Sequence, residues 1–240
     1  MKFGTTTLAL TAAFLFSPLS VADKGPALKD YPAEQVTENV YVIHGPLDMP
    51  NPKNQGFMNN PAFVITNDGI VVVDPGSSVQ TGEMLLRVMA KISKKPVIAV
   101  FNTHIHGDHW LGNEGIKRHY PNAKIYGHPT MKTRVEGADG EFWLETINRL
   151  TEGTADGKRV VGPDKAVTEG DVITVGDTTF RIYHTGQAHT NNDIMVEIEG
   201  ENTLFTGDVV RNGLLGIMEE DASFEGNIAA IDFIIGKKYD

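Results

Sequence analysis

This chain of 240 residues predicts a sheet-rich mixed fold, α/β or α+β. Three observations predict it. Apolar runs of strand length are interleaved with amphipathic helical stretches from residue 40 to residue 150. Short strand-like runs then crowd together between 172 and 206, and a last helical stripe follows them. The order is strands, helix, strand, helix, strands, helix, which reads as two similar halves rather than a steadily alternating βαβ series. With 40% hydrophobic and 22% charged residues the composition is globular, and the length suits one domain with a sizeable core.

The elements follow in order. Residues 23 to 37 are polar and Pro-bearing and read as an extended lead-in. Val40 to Ile43 is a short strand. The stretch from Gly45 to Pro61 is rich in turn formers yet carries Phe57 and Met58, and two readings stand: a plain surface loop, or a mobile flap over a site. Ala62 to Thr66 and Ile70 to Val73 form a hairpin around Asn67-Asp68-Gly69. Leu85, Val88, Met89 and Ile92 recur at helical spacing within Gln80 to Lys94. Val97 to Phe101 is an unbroken apolar run, as in a strand covered on both faces. Gly112 to Tyr120 predicts a helix, Lys124 to Tyr126 a strand, and Trp143, Ile147 and Leu150 another helical stripe. Residues 151 to 171 read as loop; Val172–Val175, Thr179–Tyr183, Ile194–Ile198 and Leu204–Thr206 read as strands with meander-length connections. Ile228, Ile231 and Ile235 mark the last helix, closed by Gly236 with Lys237 and Lys238 at its negative dipole end.

The amino terminus predicts export. Lys2 is followed by an apolar stretch from Thr7 to Phe16, too short to span a bilayer comfortably, and by Ser20-Val21-Ala22 with the small residues of a cleavage site. Residues 1–22 are therefore expected to be a signal peptide and 23–240 the working domain, periplasmic or secreted, with no membrane attachment after cleavage. The net charge of −10 repels phosphate backbones and argues against nucleic acid as a partner. The absence of cysteine excludes disulfides, thiolate metal sites and a Cys nucleophile.

Chemistry concentrates directly after the apolar run 97–101, in His104-Ile105-His106-Gly107-Asp108-His109. Three imidazoles and a carboxylate in six residues have no packing purpose. His104 and His106 are two apart, so an extended backbone points both to one side. Gly107 lets the chain turn, and a tight turn aims Asp108 and His109 at a second point a few Å away. Two His do not close a zinc site, so a third must come from elsewhere. His189, in the loop Gly186 to Asp193, is the natural candidate, and Asp208 in Thr206-Gly207-Asp208 offers a carboxylate that can bridge two cations. Asp74, after Val71-Val72-Val73, reads as a turn residue or one that orients a ligand, rather than as a ligand. Asp193 reads as a residue that orients the ligand loop, and His184 as a core or supporting histidine. Trp110 reads as a core or rim aromatic, and His44, His119 and His128 as ordinary histidines without a constellation.

These segments resemble the metallo-β-lactamase superfamily. His104-Ile105-His106-Gly107-Asp108-His109 is similar to its H-x-H-x-D-H signature, Asp74 to its first motif, His189 to the third and Asp208 to the fourth, in order over roughly residues 38 to 235. The resemblance implies a four-layer αβ/βα sandwich with metals at the rim between the sheets. It implies two Zn2+ ions, the first on His104, His106 and His189, the second on Asp108 and His109, with Asp208 bridging. The family commonly adds one more His after the fourth motif; here none follows His189. The expectation is a chain truncated at its C-terminus, with an incomplete second zinc site. Zinc lowers the pKa of its water to about 7, so the resemblance implies metal-assisted hydrolysis by metal-bound hydroxide, with Asp108 helping to manage the proton. Asp208 resembles the glyoxalase-II-like ligand set, and the exported zinc hydrolases associated with quinoprotein dehydrogenases and sulfur oxidation are similar relatives. The function expected is hydrolysis of a small-molecule ester, thioester or related substrate. The alternatives are a β-lactam hydrolase and a metal-binding accessory protein without turnover.

Overall fold

The computed structural model describes residues 25–212 and 220–239. The expected signal peptide, 1–22, lies outside the described residues. The first sheet is built from β1 (Ala33–Gln35), β2 (Val40–Ile43), β3 (Ala62–Ile65), β4 (Ile70–Val73), β5 (Val97–Phe101), β6 (Lys124–Gly127) and β7 (Lys165–Ala166), in that spatial order. Strands β1 to β4 run antiparallel; β4 to β7 are parallel. The second sheet is an antiparallel meander of β8 (Val172–Val175), β9 (Thr178–Tyr183), β10 (Met195–Ile198) and β11 (Thr203–Phe205). The two halves are thus unequal: seven strands against four.

Alternation along the strands assigns each side chain to a layer. Val64, Val71, Val73 and Phe101 face Phe180, Ile182, Ile194 and Val196 in a core between the sheets. The opposite face of the first sheet, with Phe63, Val72 and Val100, packs on Met84, Leu85 and Ile116. Those belong to α1 (Val79–Ile92) and α3 (Asn113–His119). Burial on both faces explains why β4 and β5 read as unbroken apolar runs. On the far side of the second sheet lies α6 (Phe224–Lys237), whose Phe233 ring sits 4.9 Å from that of Tyr183. The result is the helix–sheet–sheet–helix sandwich. No helix among the described residues is long and apolar enough to cross a membrane.

Several expectations are corrected. Ile92 is 41% exposed, so the apolar stripe of α1 stops a turn before the helix does. The stretch 151–171 is not all loop: Lys165 and Ala166 pair with β6 as β7. A helix precedes the Trp143 stripe: α4 (Pro129–Glu136) is separated from α5 (Ala138–Leu150) by Gly137, and only Met131 and Val135 of α4 are buried, too few for a visible periodicity. Phe57 is not the tip of a flap. It is fully buried, edge-on to Tyr31 at 5.0 Å, and Gln55 beside it donates to the Pro26 carbonyl at 2.6 Å. The loop is pinned at its middle, and Met49 and Met58 rather than Phe57 reach the cleft described next.

Candidate functional site

The sandwich delivers all six sequence-derived ligand candidates to one rim. Strand β5 ends at Phe101, and the chain then runs through buried Asn102 and Thr103 into His104. His106, in extended conformation, is the N-cap of the single helical turn α2 (Gly107–Trp110), which carries Asp108 and His109. His189 arrives on the β9–β10 connection, and Asp208 on the 3-10 turn Gly207–Val209 after β11. Gly207, at φ 53°, passes so close to Thr103 that a Cβ would lie 2.8 Å from its hydroxyl oxygen. Gly107 carries no positive φ; its small size instead admits α5, since a Cβ there would stand 3.0 Å from Cβ of Trp143. The glycine was expected for a turn and serves a close helix approach.

The imidazoles converge. His104 Nε2 lies 3.2 Å from His106 Nδ1, and His189 Nε2 lies 3.0 Å from that same nitrogen. Beside them, His109 Nε2 is 3.4 Å from an Asp108 oxygen and 3.3 Å from Asp208 Oδ1. Asp208 turns its other oxygen to His189 Nε2 at 3.8 Å, so one carboxylate touches both groups. Two donor sets each lie within 4.8 Å: His104, His106 and His189; and His104, His109 and Asp208.

Supporting residues fix the tautomers. Asp74, in the left-handed region at φ 50° as Asp tolerates, accepts from Thr103 N at 2.8 Å and from the Thr103 hydroxyl at 2.7 Å. With its proton committed to Asp74, the Thr103 oxygen accepts from His104 Nδ1 at 2.9 Å. Asp74 also accepts from His109 Nδ1 at 2.8 Å. These hydrogen bonds hold both rings with Nε2 turned toward the cluster. Asp193 braces the third arm by accepting from Thr190 N at 2.7 Å and from the Thr190 hydroxyl at 2.8 Å. Its carbonyl holds His184 Nδ1 at 2.7 Å. Burial pushes the Asp193 carboxyl up to about 6, against the Thr190 hydrogen bonds. Asp74, Asp193 and His184 thus stand behind the candidate ligands, as the sequence suggested. Trp110 is fully buried, donating to the Ile105 carbonyl at 2.7 Å. His128 departs from expectation: its ring stacks on that of His184 at 4.2 Å.

Electrostatics divides the cluster. Burial, then the neighbouring imidazoles, holds His104 well below the usual histidine range; burial and His106 push His189 down to about 4. Both stay neutral, as a ligating imidazole must. His109 goes the other way: burial opposes its charge, but Asp108, Asp208 and Asp74 outweigh it and raise the pKa. Burial likewise opposes ionisation of Asp108 and Asp208, and His109 outweighs it and keeps both carboxyls below their ordinary value.

A metal fits this donor set. Ring nitrogens at 3.0 and 3.2 Å match the edge of about 3.3 Å expected of a tetrahedron with bonds near 2 Å. Two cavities flank the cluster. One, of about 290 Å³, shows Asn60, Thr206, Arg211 and Asn212; the other, of about 140 Å³, lies between the 45–61 loop and α5. Sequence reasoning missed Arg211, 3.5 Å from Asp208, and the cleft role of Trp143, whose ring is 5.0 Å from that of His106. Arg211 is signalled only by its place three residues after Asp208, and Trp143 only by lying on an amphipathic helix.

Comparison with known proteins agrees with this geometry. The profile of the metallo-beta-lactamase superfamily matches residues 55–240. Hydroxyacylglutathione hydrolase of Francisella tularensis subsp. novicida is 28% identical over 170 residues, 70% of this chain and 54% of that protein. Hydroxyacylglutathione hydrolase of Trichormus variabilis is 36% identical over 122 residues, covering 45% of this chain and 44% of its own. The chain spans about half the length of the curated relatives it matches. Among solved structures, metallo-beta-lactamase IND-7 superposes with a TM-score of 0.64 at 20% identity, over 89% of this chain and 87% of that one. A metallo-beta-lactamase from Pontibacter korlensis gives 0.63 at 18%, over 86% and 85%. These structures share the fold, and with the profile they lead to one conclusion: the chain belongs to the metallo-beta-lactamase superfamily.

Proposed function

We propose that this chain is an exported metal-dependent hydrolase of a small-molecule ester, thioester or related substrate, as expected from its sequence. His104, His106 and His189 would hold one divalent cation; Asp108 and His109 would hold a second, with Asp208 shared between them. Zinc is the metal the nitrogen-rich donor set favours. A cation bound there supplies Lewis acidity and a water acidified enough to serve as nucleophile near neutral pH. The chain's own part is preparation. Asp74 and Thr103 hold the His104 and His109 rings in place, and the ionised Asp108, which lines both cavities, can take a proton at its carboxylate and return it to a leaving group.

The observation that carries this reading is the 3.0 Å approach of His189 to His106, residues 83 apart in sequence. Such convergence of buried imidazoles serves no core. Elemental analysis of the purified protein together with a panel of esters, thioesters and nitrocefin tests it. Bound zinc with ester or thioester turnover that a chelator removes is the expected result. Nitrocefin turnover alone would favour a β-lactam hydrolase, and metal without turnover would favour an accessory protein.

A further inference from the structure

Resting on the hydrolase reading, we propose that the smaller cavity is an acyl subsite for an apolar group about the size of a benzene ring, with Trp143 as its floor. Substrates are then aryl or compact alkyl acyl esters and thioesters rather than acetyl esters. The cavity of about 140 Å³ has an apolar wall of Met49, Pro50, Met58, Trp143, Ile147 and Leu150, and it opens onto the cluster at His106, His189, Asp108 and Asp208, with Arg211 at the same edge. An apolar cavity of about 150 Å³ accepts benzene.

The orientation follows from charge. The leaving group of an acyl transfer develops negative charge; Arg211 lines both cavities, and in the larger one the Asn60, Thr206 and Asn212 side chains join it, so that side offers more polar groups to receive the leaving group. The acyl part is left to the side that offers sulfur, aliphatic and indole surface. Trp143 is suited to this role by placement. Gly107 lets its Cβ come up against α2, its ring lies 5.0 Å from that of His106, and it remains half-buried rather than sealed in the core. Met49, 66% exposed across the cleft, is a flexible side chain able to close over a bound ring.

The test is a matched series of p-nitrophenyl acetate, butyrate and phenylacetate on the zinc-loaded full chain. We expect kcat/KM for phenylacetate to exceed that for acetate about tenfold or more, the worth of burying one ring. Trp143→Ala should pull that ratio toward one, and Leu150→Phe, which fills the cavity from an already exposed position, should do the same. Reading a ratio cancels any general loss of activity. A ratio near one in the parent protein, or one unchanged in both variants, overturns the proposal. If no ester is turned over, the hydrolase reading has failed, and the cavity is still tested by titrating phenylacetate and acetate against the tryptophan fluorescence. Tighter binding of phenylacetate, lost in Leu150→Phe, which keeps both tryptophans, supports the subsite; equal binding of the two acids refutes it.

Discussion

The two halves of the candidate metal centre, a few Å apart, are built on opposite electrostatic plans. The half made by His104, His106 and His189 is all nitrogen. Its rings crowd nitrogen against nitrogen, and burial keeps protons off His104 and His189. The half made by Asp108, His109 and Asp208 is charged. His109 carries a raised pKa among carboxylates, and Arg211 leans on Asp208. The difference teaches what each half needs. The charged half can satisfy itself with internal ion pairs, whereas the nitrogen half contains no carboxylate of its own. A cation should therefore be held more firmly by the first, and the second should load late and unload early.

The largest effect is expected from His106→Ala. It removes the nitrogen that both other imidazoles approach, and turnover should fall by about 10³-fold or more with loss of the first metal. Near-normal kinetics with full metal content would break the comparison at its root. Asp208→Ala should cost about 10²-fold in turnover, and it should lower metal content by the weaker site while the first is retained. Equal loss from both sites would mean that the halves are not separable. Asp74→Asn probes what they share. Asp74 orients His109 directly and His104 through Thr103, so metal affinity should drop about 10–100-fold at both sites, as for other residues that support ligands. A competition titration with a chromophoric chelator reads it; weakening at one site alone would show that only one of the two hydrogen-bonded links matters.

The centre was far more legible in the sequence than its surroundings. Ligand residues are chemically rare and lie in short segments after apolar strands, so His104 to His109, His189 and Asp208 declare themselves by residue type. Asp74 and Asp193 declare themselves more faintly, by following a strand or flanking a ligand. What could not be read depends on packing between distant segments. Phe57 looks the same in a flap as in a core, and only the contact with Tyr31 distinguishes them. Gly107 looks like a turn residue until α5 is seen against it. Most of the inequality of the sheets comes from β7, two residues long, and from β1, three residues long within a polar lead-in. Neither carries a pattern of its own.

The smallest effect tests the electrostatic argument away from the metal. His128 and His184 stack at 4.2 Å, two imidazoles paired without a ligand cluster, and burial followed by His184 pushes His128 down to about 4. The carboxylate nearest in the hydrogen-bond network, Glu169, is engaged with the His184 backbone N–H. His128 is thus a neutral base in the folded protein with an ordinary pKa near 6.5 when unfolded. The sign follows. The stability it contributes is fully present above about pH 6.5 and is lost as pH falls from there toward 4, because the unfolded chain then binds the extra proton. His128→Asn keeps an acceptor for Thr130 N at the start of α4 and removes the titration. Melting curves at pH 7.5 and 5.5 should show the parent losing about 2 °C more than the variant between the two values. An identical loss would mean that the stack does not oppose protonation, and the crowding argument for the nitrogen half of the centre would lose its nearest parallel.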